Sequence, residues 1–172
     1  MIRNNNIRPG DAVFFKTRTL YGAVIRFGQA LRWWKYRQWN HMAIVSKIDK
    51  DGQIWVIQMA RHCEEIKIEE VAPKGKIKFI AAPEEVSRIN AVEYARRKLG
   101  TDYGVMTIVS IAINLALPDQ IVFDIHRAGT LICSALVAEA WEHGDWECPV
   151  DSGQITPAEF DGVMGGGGEV LQ

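Results

Sequence analysis

A cysteine stands where a helix is predicted to begin. In AGTLICSALVAEAWEHG, Cys133 follows a small polar turn and precedes an amphipathic run that ends at Gly144. The unpaired amides of a first helical turn stabilise an anion, so a thiol at that position loses its proton more readily and becomes a better nucleophile. Cysteines are also common in protein cores, and the position alone leaves both a reactive and a structural thiol open.

A histidine and a glutamine on a predicted hairpin supply the other groups that thiol chemistry needs. His41 begins the apolar run HMAIVSKI, and an imidazole can take a proton from sulfur and return it to a leaving group. Gln58 is the polar residue of IWVIQMA, and the turn DKDG between the runs places both side chains toward the same end. Gln58 can therefore orient the imidazole, although a solvent-facing histidine and an exposed glutamine are the alternatives.

The composition of the 172 residues indicates one globular domain, which we place at residues 1–163, followed by a flexible glycine-rich tail at 164–172. A net charge of -1 gives no overall attraction to nucleic acid, and no nucleic-acid partner is expected. The amino terminus lacks the apolar core of a signal peptide, and no apolar run is long enough to span a bilayer. We therefore expect synthesis in the cytoplasm, without a transmembrane segment.

The order of elements predicts an α+β fold. Short strand patterns recur up to about residue 81, and we expect a meandering antiparallel sheet of four or more strands, packed against helices that include the one carrying Cys133. Period-3.6 patterns then predict a helix from Pro83 to Gly100, a second from Cys133 to His143 and a helical turn after Pro157. A further helix is predicted in the run TLYGAVIRFGQALRWWKYRQWN.

This order resembles the permuted NlpC-type papain-like cysteine hydrolases, the circularly permuted group that includes lecithin retinol acyltransferase-like proteins. The resemblance runs from about Gly10 to Phe160 and depends on the segments GD, NHMAIV, VIQMA, TDYG, LICSALVAEAWEHG and TPAEF. It implies a permuted papain-like fold with Cys133 as nucleophile, His41 as base and Gln58 as the polar third member. It also implies that Tyr103 lies beside the nucleophile.

The sequence departs from this family at two positions. The family's histidine commonly follows serine or threonine, whereas His41 follows Asn40, and the family's third residue is often glutamate or histidine. A neutral Gln58 can orient an imidazole by a hydrogen bond but adds no charge that favours imidazolium.

Five residues are candidate substrate contacts. The segment RWWKYRQWN mixes basic and aromatic side chains directly before His41, a mixture that suits a membrane interface, glycan stacking or single-stranded nucleic acid. Because the segment leads into the proposed base, we interpret it as a wall of the substrate groove, with packing of its tryptophans on the domain as the alternative. The candidate contacts are Trp34, Trp39, Asn40, Tyr103 and Ser134.

Three further sequence patterns are candidates for function. His62 and Cys63 are adjacent and would point to opposite faces of a strand, so they cannot readily share one ion, and no metal or cofactor is expected. His126, before the cysteine segment, is a second candidate base. An apolar helix predicted at 105–117 is either core or a surface that meets a hydrophobic partner, including a second copy of the chain.

The function predicted from these residues is hydrolysis of an amide or ester through a thioester on Cys133. The resemblance implies either a peptide, including a peptide of cell-wall peptidoglycan, or an acyl chain on a lipid, the latter by hydrolysis or by acyl transfer. A role at the cell wall would require later release or delivery to the envelope. The alternative class is a binding or structural module that keeps the fold without turnover.

Overall fold

A computed structural model describes residues 6–17, 38–71, 76–104, 131–165 and 169–171. Within these ranges the chain forms six strands and four helices. The strands are β1 (Ala12–Lys16), β2 (His41–Ile48), β3 (Ile54–Met59), β4 (Cys63–Lys67), β5 (Lys76–Ile80) and β6 (Glu169–Leu171). The helices are α1 (Ile68–Val71), α2 (Arg88–Arg97), α3 (Cys133–Glu142) and α4 (Pro157–Val163). The predicted helix that contains Trp34, the apolar helix at 105–117 and His126 lie outside the described residues.

All six strands form one antiparallel sheet in the order β4-β3-β2-β1-β5-β6. The predicted hairpin is confirmed, because β2 and β3 pair from Ile48–Ile54 to Ala43–Gln58. Its turn is held by the Asp49 carboxylate, which accepts hydrogen bonds from the amides of Asp51 and Gln53. The antiparallel sheet and the helices packed on it confirm the α+β class.

The sheet differs from the predicted meander in how β4 and β5 are connected. β2, β3 and β4 follow one another as neighbours, but β4 ends at Lys67 and Ile68 begins the short helix α1. The next strand, β5, then pairs with β1 on the other side of β2. β1 is therefore an inner strand, although it is the first in the chain.

The predicted flexible tail is wrong at residues 169–171, which form β6. These residues pair with Ile77, Lys78 and Phe79 of β5. Strand pairing uses backbone groups, so the glycine-rich composition that precedes β6 does not prevent it.

The three longer helices are largely as expected. α2 begins at Arg88 rather than at Pro83, because residues 83–86 form a turn closed by a hydrogen bond from the Val86 amide to the Pro83 carbonyl. α3 begins at Cys133, as predicted. The helical turn predicted after Pro157 is α4, which a capping box between Thr156 and Glu159 starts.

The core that positions α3 lies on one face of the sheet. Trp141 is fully buried, packs edge-on against Trp146 and Phe160, and donates its indole N–H to the Gly10 carbonyl at 2.8 Å. Leu136 packs in the same cluster, which also takes side chains from β1, β2 and β3. α3 is thereby fixed against the sheet over its length.

A buried ion pair joins the sheet to α4. Lys78 of β5 lies beside Phe14 of β1 on the helix-covered face, and its ammonium meets the Asp161 carboxylate at 2.5 Å. Both side chains are at most 4% exposed. Among the described residues, no helix is long and apolar enough to cross a membrane.

Candidate active site

Cys133 is the first residue of α3 and is 2% exposed. The preceding residue, Ile132, is extended and gives no side-chain cap, so the amides of the first turn keep their hydrogen-bonding capacity at this end of the helix. The backbone N–H groups of Met42 and Ser134 donate to the thiol sulfur. The sulfur therefore lies where the mouth of α3 meets the start of β2.

His41 is the first residue of β2, beyond the point at which β2 and β3 cease to pair. The described β2–β3 pairing stops at Ala43–Gln58, whereas β1 continues to pair with β2 as far as Phe15–His41. The Phe15 ring packs on the imidazole with ring centroids 5.8 Å apart. This strand end places the imidazole in hydrogen-bond contact with the Cys133 thiol.

Gln58 holds the other side of the imidazole. His41 Nε2 and Gln58 Oε1 are 2.7 Å apart, and Gln58 is 5% exposed. Because an amide oxygen only accepts, Nε2 carries the proton and Nδ1 is the nitrogen left for the thiol. The structure thus brings Cys133, His41 and Gln58 together, and the hairpin register had predicted the neighbourhood of His41 and Gln58.

The electrostatics of the Cys133–His41 pair favour charge separation. Burial raises the pKa of the Cys133 thiol, but the charge of His41, its hydrogen bond and the Met42 and Ser134 amides outweigh burial, so the pKa lies below its usual value. Burial likewise lowers the pKa of His41, but contact with the Cys133 sulfur and, to a smaller extent, Gln58 and Glu64 bring it above its usual value. Both shifts favour a thiolate beside an imidazolium.

Glu64 belongs to this site, although it was not among the candidate residues predicted from the sequence. Gln58 and Glu64 face each other across β3 and β4, and Gln58 Nε2 donates to Glu64 Oε1 at 2.8 Å. The tight turn over residues 60–62 sets the register of β3 and β4. It pairs Met59 with Cys63, and the next pair outward from the turn is Gln58 with Glu64.

Tyr103 lies beside the nucleophile, as the resemblance implied. A bridge between Tyr103 and Leu131 and a hydrogen bond from the Gly104 amide to the Leu131 carbonyl hold the segment against the chain that leads into α3. Burial raises the pKa of the Tyr103 hydroxyl, and so do the charge and hydrogen bond of Cys133. The hydroxyl therefore stays protonated and donates a hydrogen bond to the sulfur.

Replacing Tyr103 with phenylalanine should raise the pKa of Cys133 by about one pH unit, because it removes one hydrogen bond to the thiolate and leaves the ring in place. The measurement is the rate of iodoacetamide labelling as a function of pH, followed by intact mass. An unchanged profile would show that the hydroxyl does not stabilise the thiolate.

Three candidate substrate contacts are structural residues instead. Trp39 is 1% exposed and packs on Phe14 with ring centroids 6.2 Å apart, so it is core rather than a groove wall. Asn40 is buried and its side chain bonds the backbone and hydroxyl of Thr17. Ser134 is fully buried and donates to the Ile155 carbonyl. Trp34 lies outside the described residues.

The two residues considered as metal ligands, His62 and Cys63, lie in different environments. Cys63 is buried and burial raises its pKa to about 12, whereas the His62 side chain is 56% exposed. Within the part of the chain that the structure describes, no group of three or more His, Cys, Asp or Glu side chains is arranged to hold a metal ion.

No family model matches the chain, and no curated protein matches it. Among solved structures, the chain is similar to the crystal structure of the metalloprotein yiiX from Escherichia coli O157:H7, with a TM-score of 0.52 and 14% identity. The likeness is one of fold. It covers 80% of this chain and 66% of the yiiX chain, so this chain spans just under two thirds of that protein's length.

Proposed function

We propose that the protein is a cysteine-dependent hydrolase of amide or ester bonds, built on a permuted papain-like fold. The observation that supports this most directly is the placement of His41 between the Cys133 thiol and Gln58 Oε1, which lies 2.7 Å from Nε2. A nucleophile, a base and a group that orients the base are the three parts that thiol-dependent acyl transfer requires.

In the proposed reaction, His41 Nδ1 takes the proton of Cys133, and the thiolate attacks the substrate carbonyl carbon. Backbone amides near Cys133 donate to the oxyanion of the tetrahedral intermediate. The intermediate collapses to a thioester as His41 gives its proton to the departing amine or alcohol. Water, deprotonated by His41, then attacks the thioester, which releases the acid and regenerates the thiol.

The substrate class that we propose is a peptide, including a cell-wall peptide, or an acyl ester such as a lipid. If an alcohol or amine replaces water in the last step, the same residues perform acyl transfer. The yiiX protein is called a metalloprotein, but the described residues of this chain offer no ligand set for a metal, and no step is assigned to one.

A binding module on the same fold is the second candidate, supported by one observation. Cys133 is 2% exposed, which is the burial expected of a structural thiol. The hydrogen bond to His41 and the lowered pKa of Cys133 favour the enzyme instead.

The experiment that separates these candidates is acyl trapping. The protein is mixed with p-nitrophenyl acetate, and intact mass and nitrophenol release are followed for the wild type, Cys133→Ala and Cys148→Ala. The Cys148→Ala control removes a free thiol outside the site. We expect a transient acetyl adduct and turnover in the wild type and Cys148→Ala, and neither in Cys133→Ala.

An adduct that forms equally in Cys133→Ala would contradict the proposal. So would a wild type that neither acquires an adduct nor releases nitrophenol, and that result would favour the binding module. A positive result leads to a screen of peptides, cell-wall peptides and lipid esters, in which hydrolysis and transfer are distinguished by adding an alcohol or amine acceptor.

A further inference from the structure

A carboxylate completes a chain of hydrogen bonds that leads to the nucleophile. Gln58 is 5% exposed, and its amide spans two partners on neighbouring strands, with Oε1 at 2.7 Å from His41 Nε2 and Nε2 at 2.8 Å from Glu64 Oε1. The Glu64 side chain is 32% exposed, so the acid lies at the outer end of this chain and the thiol at its buried end.

The chemistry of the partners fixes the direction of every bond. An ionised carboxylate can only accept, so Glu64 requires the NH₂ group of Gln58 to point toward it. The amide oxygen then faces His41 and can only accept, which requires the imidazole proton on Nε2. In the neutral ring Nδ1 is left without a proton, and that is the form of histidine that can deprotonate Cys133.

When the imidazole is neutral, Glu64 is the described contact of Gln58 that selects between the two orientations of its amide. A flipped amide would present NH₂ to His41, which would favour the tautomer with Nε2 unprotonated and a proton on Nδ1 facing the thiol. That tautomer cannot act as the base for Cys133.

We propose that Glu64 is a positioning residue, which fixes the Gln58 amide and through it the tautomer of His41, and which supplies the negative charge that a neutral third residue lacks. The site is then a Cys133–His41–Gln58–Glu64 relay. This inference rests on the proposed function, since it assumes that His41 is the base for Cys133.

The charges around the relay are consistent with this role. Glu64 is among the groups that bring the pKa of His41 above its usual value. Cys133 faces His41 from α3, and the Tyr103 hydroxyl faces the same sulfur. On the outer side, His62 Nε2 lies 4.0 Å from Glu64 Oε2, so a protonated His62 would offset part of the charge of Glu64.

The test is Glu64→Gln in the full chain, with Glu65→Gln as the matched control. Glu65 is the next residue of β4, pairs with Ile57 rather than Gln58, and lies 3.4 Å from Lys47. Both variants remove one carboxylate from the same strand, but only Glu64→Gln changes the partner of Gln58. A His62→Gln variant is measured in parallel, and it shows how much the neighbouring histidine contributes to the pH profile.

Two readouts are used. The first is iodoacetamide labelling of Cys133 as a function of pH, and we expect Glu64→Gln to lower the rate at pH 7 about tenfold, as expected for the loss of a hydrogen bond to a charged group. The second is the ¹⁵N NMR spectrum of the His41 ring in a Cys133→Ala background, recorded at a pH where the ring is neutral, which distinguishes the two tautomers. We expect the Nε2–H form in Cys133→Ala alone and in its combination with Glu65→Gln, and a mixture of tautomers in its combination with Glu64→Gln.

A purely structural role for Glu64 would change the unfolding midpoint but not the tautomer. If Glu64→Gln matches Glu65→Gln in both readouts, the inference is overturned, while a labelling rate that still depends on His41 leaves the proposed function standing. If His41→Gln also labels at the wild-type rate, the proposed function itself fails. Should Glu64→Gln fold poorly, Glu64→Asp keeps the charge but shortens the reach, and an unchanged tautomer and labelling rate there would likewise overturn the inference.

Discussion

Replacing His41 with glutamine is expected to lower the rate at which iodoacetamide labels Cys133 at pH 7 by about a hundredfold. The thiolate is the reactive form of cysteine, and His41 is the group whose charge and hydrogen bond hold the pKa of Cys133 below its usual value. Glutamine has a similar reach and can still form hydrogen bonds, but it has no proton to exchange and no charge.

The sign of the pH dependence follows from the two shifts. In the wild type, the thiolate forms above the lowered pKa of Cys133 and the imidazolium persists up to the raised pKa of His41, so the ion pair occupies the interval between them. In His41→Gln, burial is the largest remaining influence and raises the pKa of Cys133. Labelling should therefore begin at a higher pH than in the wild type.

The measurement is intact mass after brief labelling across a pH series, in a Cys148→Ala background that removes the partly exposed thiol. Burial raises the pKa of Cys148, so wild-type Cys133 should label at a lower pH than Cys148 does. If the profile of Cys133 is the same with and without His41, the thiol is an ordinary one and the catalytic pair does not exist.

Replacing Lys78 with methionine is expected to destabilise the fold by about 3–5 kcal/mol, because it leaves the Asp161 carboxylate buried without the ammonium group. Asp161 is 1% exposed and lies on α4, where Lys78 reaches it at 2.5 Å. For a chain of this size the loss corresponds to a fall in Tm of about 10 °C. Urea unfolding followed by circular dichroism measures it.

The double variant Lys78→Met with Asp161→Leu is the control for this ion pair. Replacing a buried pair by apolar side chains of similar volume is often neutral, so most of the lost stability should return. If the single and double variants are equally destabilised, the cost comes from packing around Phe14 and α4 rather than from an uncompensated charge.

The sequence predicted the local parts of the site well. A four-residue turn between two apolar runs defined the β2–β3 hairpin, and counting outward from that turn brought His41 and Gln58 to the same end. Cys133 was placed at the start of its helix by the change from turn residues to a helical period. These features depend on residues close in sequence, and local periodicity reports them directly.

The rest of the site and sheet depended on contacts that periodicity does not encode. Glu64 was missed because the register across the tight turn at residues 60–62 pairs it with Gln58, and its own position in the strand pattern does not show that pairing. The pairing of β5 with β1 was missed for the same reason, since alternation shows that a segment is a strand but not which edge it joins.

The wrong predictions at Trp39, Asn40 and the tail have one origin. Composition assigned the two side chains to a surface groove and residues 169–171 to solvent, but tertiary packing buries Trp39 against Phe14 and ties Asn40 to Thr17. The edge of β5 likewise provides backbone partners for residues 169–171. Composition describes what a segment is made of, whereas burial depends on what packs over it.

The connectivity of the sheet predicts that the two parts of the candidate thiol site, the β2–β4 residues and Cys133 on α3, come together at different stages of folding. His41, Gln58 and Glu64 lie on β2, β3 and β4, which are neighbours in both the chain and the sheet. Short loops close faster than long ones, so we expect this meander to assemble before α3 docks. Until α3 docks, Cys133 keeps the ordinary pKa of an unfolded thiol and is mostly protonated at neutral pH. We therefore expect the thiol to become reactive only when α3 has packed against this meander.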